Sequence, residues 1–475
     1  MKYFKYIISI IILIISIIII LQNTSVFKKQ YKKNIILIYL DALSSKHLNC
    51  YGYHRKTSPY IDYLARKGVL FKNAFSQAPA TWPSVHSTLT SQYASHFFTK
   101  KIKLKEEKLT LAEVLKQNGY YTAGFSSSPI VTKTETSYSL GGFEQGFDTF
   151  DDSIYKGEKK NWQWRSPEGI IEHALRWLDA NYKKNFFLFL YIMDPHDVYH
   201  SPEPYNSLYD PDYPGKKLII AGAPTFYEKK ILEGTETGLN DRDIFHLISL
   251  YDGEITYADA EIGRLLKKLE ELNLMDDTLI IITSDHGEEF FEHGGLKHGY
   301  TLYNEAIKIP LIFMCPSQLP QNIKIDEIVQ SLDIVPTVLD IVDIKKPKIM
   351  QGESLLPLIK KKKPKWRNYA LSESPFADVK AIITKKWKYI HHFESKPLHP
   401  NLNDKYKKGK ELYDLEHDPK ERVNLYDKKP EVAKKLYLEL LDLIPNLEKE
   451  RLEKAKAIEL DKETKEKLKS LGYLK

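Results

Sequence analysis

The chain has 475 residues, 42% of them hydrophobic and 28% charged, with a formal net charge of +7 and two cysteines. This is the make-up of a globular protein, long enough for one large domain with an appendage or for two domains. Cys50 and Cys315 lie too far apart in sequence for a Cys-x-x-Cys metal or redox site, and two cysteines build no disulfide framework. The positive charge comes from lysines spread over mixed helices without a nucleic-acid motif, so no nucleic acid is expected among the partners.

The first element is apolar. From Tyr6 to Gln22 the run YIISIIILIISIIIILQ carries no charge and follows Lys2 and Lys5. It is at the short end for a spanning helix, and no small-residue cleavage pattern follows it. The expectation is an uncleaved single-pass membrane anchor over residues 1–22 and a basic juxtamembrane segment over 23–33. A catalytic domain would then lie at the membrane, on its extracytoplasmic side. Lys28, Lys29, Lys32 and Lys33 outnumber Lys2 and Lys5, so the positive-inside rule lends that orientation no support.

Beyond residue 33, three apolar runs end in acids. NIILIYLD ends at Asp41, FFLFLYIMDPH at Asp194 and His196, and TLIIITSDHGEE carries Asp285 and His286. Continuous Ile/Leu/Phe runs of this length suit parallel strands buried on both faces. Between the first and second stands APATWPSVHSTLT (78–90), where Pro83 marks the first position of a helix and puts Thr81 near its cap. Residues 211–241 carry several prolines and glycines and read as a surface excursion. In EITYADAEIGRLLKKLEEL (254–272), Ile255, Ala258, Ile262, Leu265, Leu266 and Leu269 recur at helical spacing. Strands alternating with helices predict an α/β layered domain with a mostly parallel central sheet over 34–368. A linker is expected at 360–366. A C-terminal α+β subdomain over 369–475 follows, with a small antiparallel sheet turning at Lys385-Lys386 and a helix over 430–455.

In such sheets ligands bind beyond the carboxyl ends of the strands, where these acids and histidines stand. Each Asp alone would serve as a helix cap, but capping does not account for the histidine near two of the three. Carboxylate plus imidazole suits a divalent ion such as Zn or Mn, whereas oxygen-only ligation is commoner for Ca or Mg. A metal beside Thr81 and a helix N-terminus there would both favour its alkoxide, making Thr81 a candidate nucleophile.

The motifs resemble those of the sulfatase family, within the alkaline phosphatase superfamily, over nearly the whole chain after residue 33. They are NIILIYLDALSSKHLNCYGY, TSPYIDYLARKGVLFKNAFSQAPATWPSVHSTLTS, YIMDPHDVYHSPEPY and TSDHGEEFFEHGGLKHGYTLYNEAIKIPLI. SLDIVPTVLDI, QGESLLPLI, ELYDLEHDPKERVNL and LKSLGYL follow in the family's order. The resemblance implies an alkaline-phosphatase-like fold and one divalent metal held by Asp41, Asp285, His286 and the Thr81 oxygen. Zn or Mn would be favoured and Ca also possible. It implies that His196 and His298 hold the substrate's oxyanion or protonate the leaving group, with Lys297 as an alternative to His298. A second metal on Asp194, His196 and His298 is conceivable by analogy with two-metal relatives; otherwise Asp194, like Lys297 and His86, would touch substrate. His293, Glu288 and Glu289 would support the site from behind or face solvent. His86 would touch substrate or face the domain.

The sequence also departs from that family. Sulfatases carry a Cys or Ser, oxidised to formylglycine, in Cys/Ser-x-Pro-x-Arg; here Thr81 stands in that place and Val85 replaces the arginine. A secondary alcohol cannot give the aldehyde, and a sulfo-threonine clears only by attack at sulfur. Phosphorus is more forgiving. Ser126, Ser127 and Ser128 stand where relatives often present an asparagine to substrate. The leading expectation is therefore a membrane-anchored hydrolase or transferase of phosphate (di)esters through Thr81. Its alternatives are a sulfuric ester hydrolase without formylglycine and a non-catalytic anchored binding protein. The substrate would be a phosphate or sulfate ester of a lipid, glycan or polymer.

Overall fold

In the computed structural model, residues 33–97, 104, 108–133, 141–153, 166–215, 230, 237–362, 366–374, 379–393 and 409–457 are described. The expected anchor at 1–22 and basic segment at 23–33, Lys33 apart, lie outside these residues, as does the tail beyond 457. Among the described residues no helix is long and apolar enough to cross a membrane.

The central sheet has nine strands: β1 (Asn34–Leu40), β2 (Val69–Phe75), β3 (Tyr121–Ser126), β4 (Thr149–Asp151), β5 (Phe186–Ile192) and β6 (Thr278–Thr283), then β9 (Lys308–Ile309), β10 (Leu311–Met314) and β11 (Ile323–Gln330). Between β6 and β9, a hairpin of β7 (Glu289–Phe290) and β8 (Leu296–Lys297) stands apart. The order is β11-β2-β10-β6-β1-β5-β3-β4, with β9 on β2. Its pairs are parallel except those of β10 and β9.

Every residue of β1, β5 and β6 is buried, because both faces are covered. Ile36, Ile38 and Leu40 point to one side, where they meet helices α1 (Pro59–Lys67), α4 (Pro167–Asn181) and α5 (Asp241–Glu271) through Ile61, Ile170 and Ile262. Ile35, Leu37 and Tyr39 point to the other, against α2 (Thr81–Thr90), α3 (Leu111–Gln117) and α6 (Ile334–Ile341) through Val85, Leu115 and Val338. Successive strand residues face opposite sides, so an unbroken apolar run is what a two-sided sheet requires.

The long helix starts earlier than its apolar spacing predicts. It runs from Asp241, not Glu254, because Asn240 accepts from Arg242 N and Asp243 N while Asp243 reaches back to Asn240 N. This capping box lies in polar sequence, which carries no helical periodicity. At the C-terminal side, β12 (Tyr369–Ser374), β13 (Val379–Thr384), β14 (Trp387–His392) and β15 (Lys410–Asp414) form an antiparallel sheet, and helix α7 (Pro430–Ala457) packs on it through Ala433, Leu436 and Leu440. Trp366 fixes the segment before β12, giving its indole N–H to the Ile328 carbonyl (2.8 Å).

Candidate metal and nucleophile site

The parallel register sets the carboxyl ends of β1, β5 and β6 side by side, with Leu40 opposite Ile192 and Tyr39 opposite Thr283. The residues just past those ends therefore share one rim. Asp41, Asp285 and His286 converge there, with one donor atom from each within 4.8 Å of the others. His286 Nε2 lies 3.6 Å from Asp41 Oδ1 and 3.4 Å from Asp285 Oδ2. Its Nδ1 faces the Gly287 carbonyl at 2.9 Å, which places the ring proton on Nδ1 and turns the Nε2 lone pair toward the two carboxylates. The loop is held tight at Gly287: a Cβ there would meet the Glu305 carbonyl oxygen at 2.0 Å.

The two acids are treated differently. Asp285 accepts the Tyr191 hydroxyl (2.7 Å) and the N–H groups of Ala42 (3.1 Å) and His286 (2.9 Å). Ala42 delivers its N–H from a left-handed turn (φ 60°). Burial pushes the Asp285 carboxyl up, but His286 and these donors outweigh it and hold it below the ordinary range. Asp41 is 1% exposed, and neither of its oxygens has a hydrogen-bond partner among the described residues. Burial and the neighbouring Asp285 push it well above the ordinary range. A buried carboxylate with no donor, beside a second carboxylate and an imidazole lone pair, is the donor set of a divalent cation. The residues present fit a metal.

Thr81 arrives from the neighbouring strand. β2 runs parallel to β6 by way of β10, so its carboxyl end meets the same rim, and residues 76–80 lead into α2. The helix begins at Thr81 itself, making Pro83 its third residue rather than its first. Ala80 is the cap residue, and no side chain caps the helix. Thr81 is thus no cap: its Oγ1 turns away to lie 3.3 Å from His286 Nε2, 3% exposed. Ser84, one turn on, ties the helix to the metal loop by donating to the Asp285 carbonyl (2.6 Å).

His298 and His196 stand on the same side. The His298 ring is 4.1 Å from that of His286 and 4.9 Å from that of His196. Burial, then His286, His196 and Lys297, hold the His298 imidazole well below its ordinary range. Glu288 faces His298 Nδ1 at 2.9 Å and accepts the Tyr199 hydroxyl at 3.0 Å; burial pushes it up to about 7. His196 faces the Asp197 carbonyl through Nδ1 (2.7 Å), and Lys297 pairs with the Asp197 carboxylate (3.3 Å).

Other expected residues lie elsewhere. Asp194 shares a side-chain hydrogen bond with Glu254 of α5. Among the described residues it is not gathered with His196 and His298 into a donor cluster, so the second metal set is not assembled. Asp194 stands just past the end of β5, but the chain turns at Asp194-Pro195 and aims the carboxyl at Glu254 of the helix. His86 is buried, its Nδ1 facing the Trp82 carbonyl (2.6 Å) and its ring 4.6 Å from Phe143; it is not brought to the metal trio. Ser127 braces backbone, accepting Met193 N at 3.0 Å. Glu288 and Glu289 are buried and His293 is partly so, and Glu289 and His293 join Glu305 in a second, separate cluster. Tyr191, Tyr199 and Asp197 also belong to the site, and no motif marks them; of the three only Tyr191 leaves a local signal, as a lone hydroxyl in an otherwise apolar run.

The Sulfatase family is matched over residues 33–344, and a second family, described as N-sulphoglucosamine sulphohydrolase, C-terminal, over residues 292–447. An ulvan-active sulfatase of Formosa agariphila is 27% identical over 407 residues, covering 80% of this chain and 76% of the relative. Mouse (Mus musculus) arylsulfatase K is 23% identical over 460 residues, covering 86% and 79%. Among solved structures, a phosphonate monoester hydrolase of Agrobacterium radiobacter superposes with a TM-score of 0.69 at 19% identity, covering 88% of this chain and 96% of its own, a likeness of fold.

Proposed function

The chain belongs to the sulfatase family, and from that footing we propose that it is a metal-dependent hydrolase of sulfate esters. The observation that carries metal-dependent ester hydrolysis is the donor-less Asp41 carboxylate beside Asp285, His286 and the Thr81 hydroxyl. The family and the sulfatases among its relatives support sulfate as the ester. Asp41, Asp285 and His286, with Thr81 Oγ1, would hold one divalent cation, for which the imidazole favours Zn or Mn over Ca. When bound, that cation supplies a Lewis acid that polarises the ester oxyanion and lowers the threonine pKa.

The chain's own residues do the rest. The N-terminus of α2 favours negative charge at Thr81 Oγ1, whose proton passes to solvent; the alkoxide attacks sulfur as the bond to the leaving alcohol oxygen breaks. The leaving oxygen takes a proton from the His298 side, where the Glu288 carboxyl, pushed up to about 7, orients the ring and is a source of the proton. His196, beside His298, holds the oxyanion, and Lys297 adds positive charge to that side. Water then attacks sulfur, returning a proton to the His298 side as the bond from sulfur to Thr81 Oγ1 breaks, which releases sulfate and restores Thr81.

A second reading, cleavage of phosphate (di)esters, rests on one observation: residue 81 is a threonine, which cannot become formylglycine, and a phospho-threonine is cleared by water or an alcohol more readily than a sulfo-threonine. The apolar run at 6–22 would anchor either enzyme at a membrane, with the catalytic domain outside the cytoplasm.

The test strips the full-length protein of metal, restores Mn, Zn or Ca, and compares aryl sulfate, aryl phosphodiester and phosphomonoester turnover. Metal-dependent sulfate turnover lost in Thr81→Ala is expected. Preference for the phosphodiester installs the second reading, and turnover of every ester undiminished in Thr81→Ala refutes both.

A further inference from the structure

The loop after β1 borders a cleft of about 950 Å3, also lined by residues of β2, β11 and segment 419–422. None of the residues that converge at the metal site lines it, yet the two share a wall. Gly287, next to His286, packs against Ser44 and the Glu305 carbonyl, and Ser44 and Glu305 both line the cleft.

Its charge is one-sided. Seven lysine and arginine residues line it against three carboxylates. Those carboxylates are already engaged, Glu292 with Lys46, Asp326 with Lys72 and Glu305 with His293, while Arg55 is taken by Asp252. Lys308, Lys324, Lys420 and Arg422 remain, and among the described residues none of them has a carboxylate within ion-pair distance. Lys308 is half-buried and, among the described residues, donates to the Asn73 side-chain oxygen (3.0 Å); burial and nearby Lys388 push its ammonium down to about 8. Glu421 offsets this only in part, since it already pairs with Lys388, and a desolvated cation so placed gains from an anion that enters. With Lys308, three exposed cations, Lys324, Lys420 and Arg422, come from three separate segments, β9, β11 and the stretch after β15, around a volume far larger than one oxyanion fills. Tyr51, Tyr53 and Phe245 line the same cleft, with Arg55 4.8 Å over the Phe245 ring, and supply apolar surface for the C–H groups of sugar rings.

The geometry points to this cleft as a second binding site, for a multiply sulfated glycan chain held by Lys308, Lys324, Lys420 and Arg422. Its use in delivering substrate rests on the sulfate-ester reading above; the binding itself does not.

The experiment measures binding of a fluorescently labelled sulfated dextran oligosaccharide to the full-length protein at low ionic strength. The variants are a triple change, Lys324→Gln, Lys420→Gln and Arg422→Gln, at three exposed positions, and a control triple at exposed Lys345, Lys348 and Lys361. The expected result is roughly tenfold weaker binding in the first triple, little change in the control, and no binding of unsulfated dextran. Equal affinity in wild type and the first triple, or an equal loss in the control, overturns the site. Polyphosphate bound as tightly as sulfated dextran overturns the glycan assignment. Small aryl sulfate turnover, measured in parallel, is expected to stay unchanged in the first triple. Its failure in wild type counts against the sulfate-ester reading and leaves the binding result standing.

Discussion

Asp41→Asn separates stability from function at one atom. In the metal-free protein Asp41 is buried without a donor and within 4.8 Å of Asp285 donor oxygens. Burial and Asp285 raise its folded pKa, so its contribution to stability is full below the ordinary aspartate range and is lost as pH rises through the folded value. An amide in its place cannot ionise and can donate to Asp285. At pH 7, relieving a buried group left unsatisfied is worth about 2 kcal/mol. Unfolding entropy of about 2.1 cal/mol/K per residue over the unit Asn34–Lys475 makes 1 kcal/mol equivalent to about 1 °C. In chelator the variant should therefore melt about 2 °C above wild type at pH 7, with the gap closing toward pH 4. Metal at about 100 times its Kd adds about 2.7 kcal/mol, or about 3 °C, to wild type and nothing to the variant, so the order of the two inverts. Thermal scans across pH, with chelator and with Mn or Zn, read both effects. A variant less stable than wild type in chelator at pH 7, or one that keeps the metal shift, refutes the reasoning.

Tyr191→Phe removes the hydroxyl that Asp285 accepts and keeps the ring, stacked 5.8 Å from Tyr39; metal affinity should fall 10- to 100-fold, on the order seen for outer-shell partners, as measured by chelator competition. Unchanged affinity would make the bond idle. His293 stands between the Glu305 carboxylate and the Glu421 carbonyl (2.9 Å). Burial opposes its charge, but Glu305 outweighs it and lifts the imidazole to about 9. Its stability contribution is thus full below about pH 6.5 and lost as pH rises through about 9. His293→Gln should cost about 3 kcal/mol at pH 6 in denaturant titrations, with the deficit shrinking above pH 9; a deficit independent of pH would mean that packing on Tyr303 alone is at stake. Thr81→Ala should abolish turnover while leaving metal affinity within about tenfold, since Thr81 is one ligand of four; a collapse of metal binding would recast Thr81 as a ligand first.

The local sequence determined a good deal here. Apolar runs too long and too continuous for a one-sided sheet required strands covered on both faces, and an α/β sheet puts its chemistry past their carboxyl ends. Asp41, Asp285 and His286 were legible for that reason, and Thr81 because a helix start is written in a few adjacent residues. Asp194 met the same rule and went elsewhere, since a side chain's direction after a strand end depends on what packs beside it, here Glu254 sixty residues on. The donor that lowers Asp285 comes from Tyr191, and the groups that raise His293 come from Glu305 and Glu421. These are pairings between distant segments, and no local pattern encodes them. The same holds for the cations of the cleft: a lysine or arginine reads alike in sequence whether or not a carboxylate meets it, and only the packing of β9, β11 and the stretch after β15 leaves Lys308, Lys324, Lys420 and Arg422 without an ion pair among the described residues.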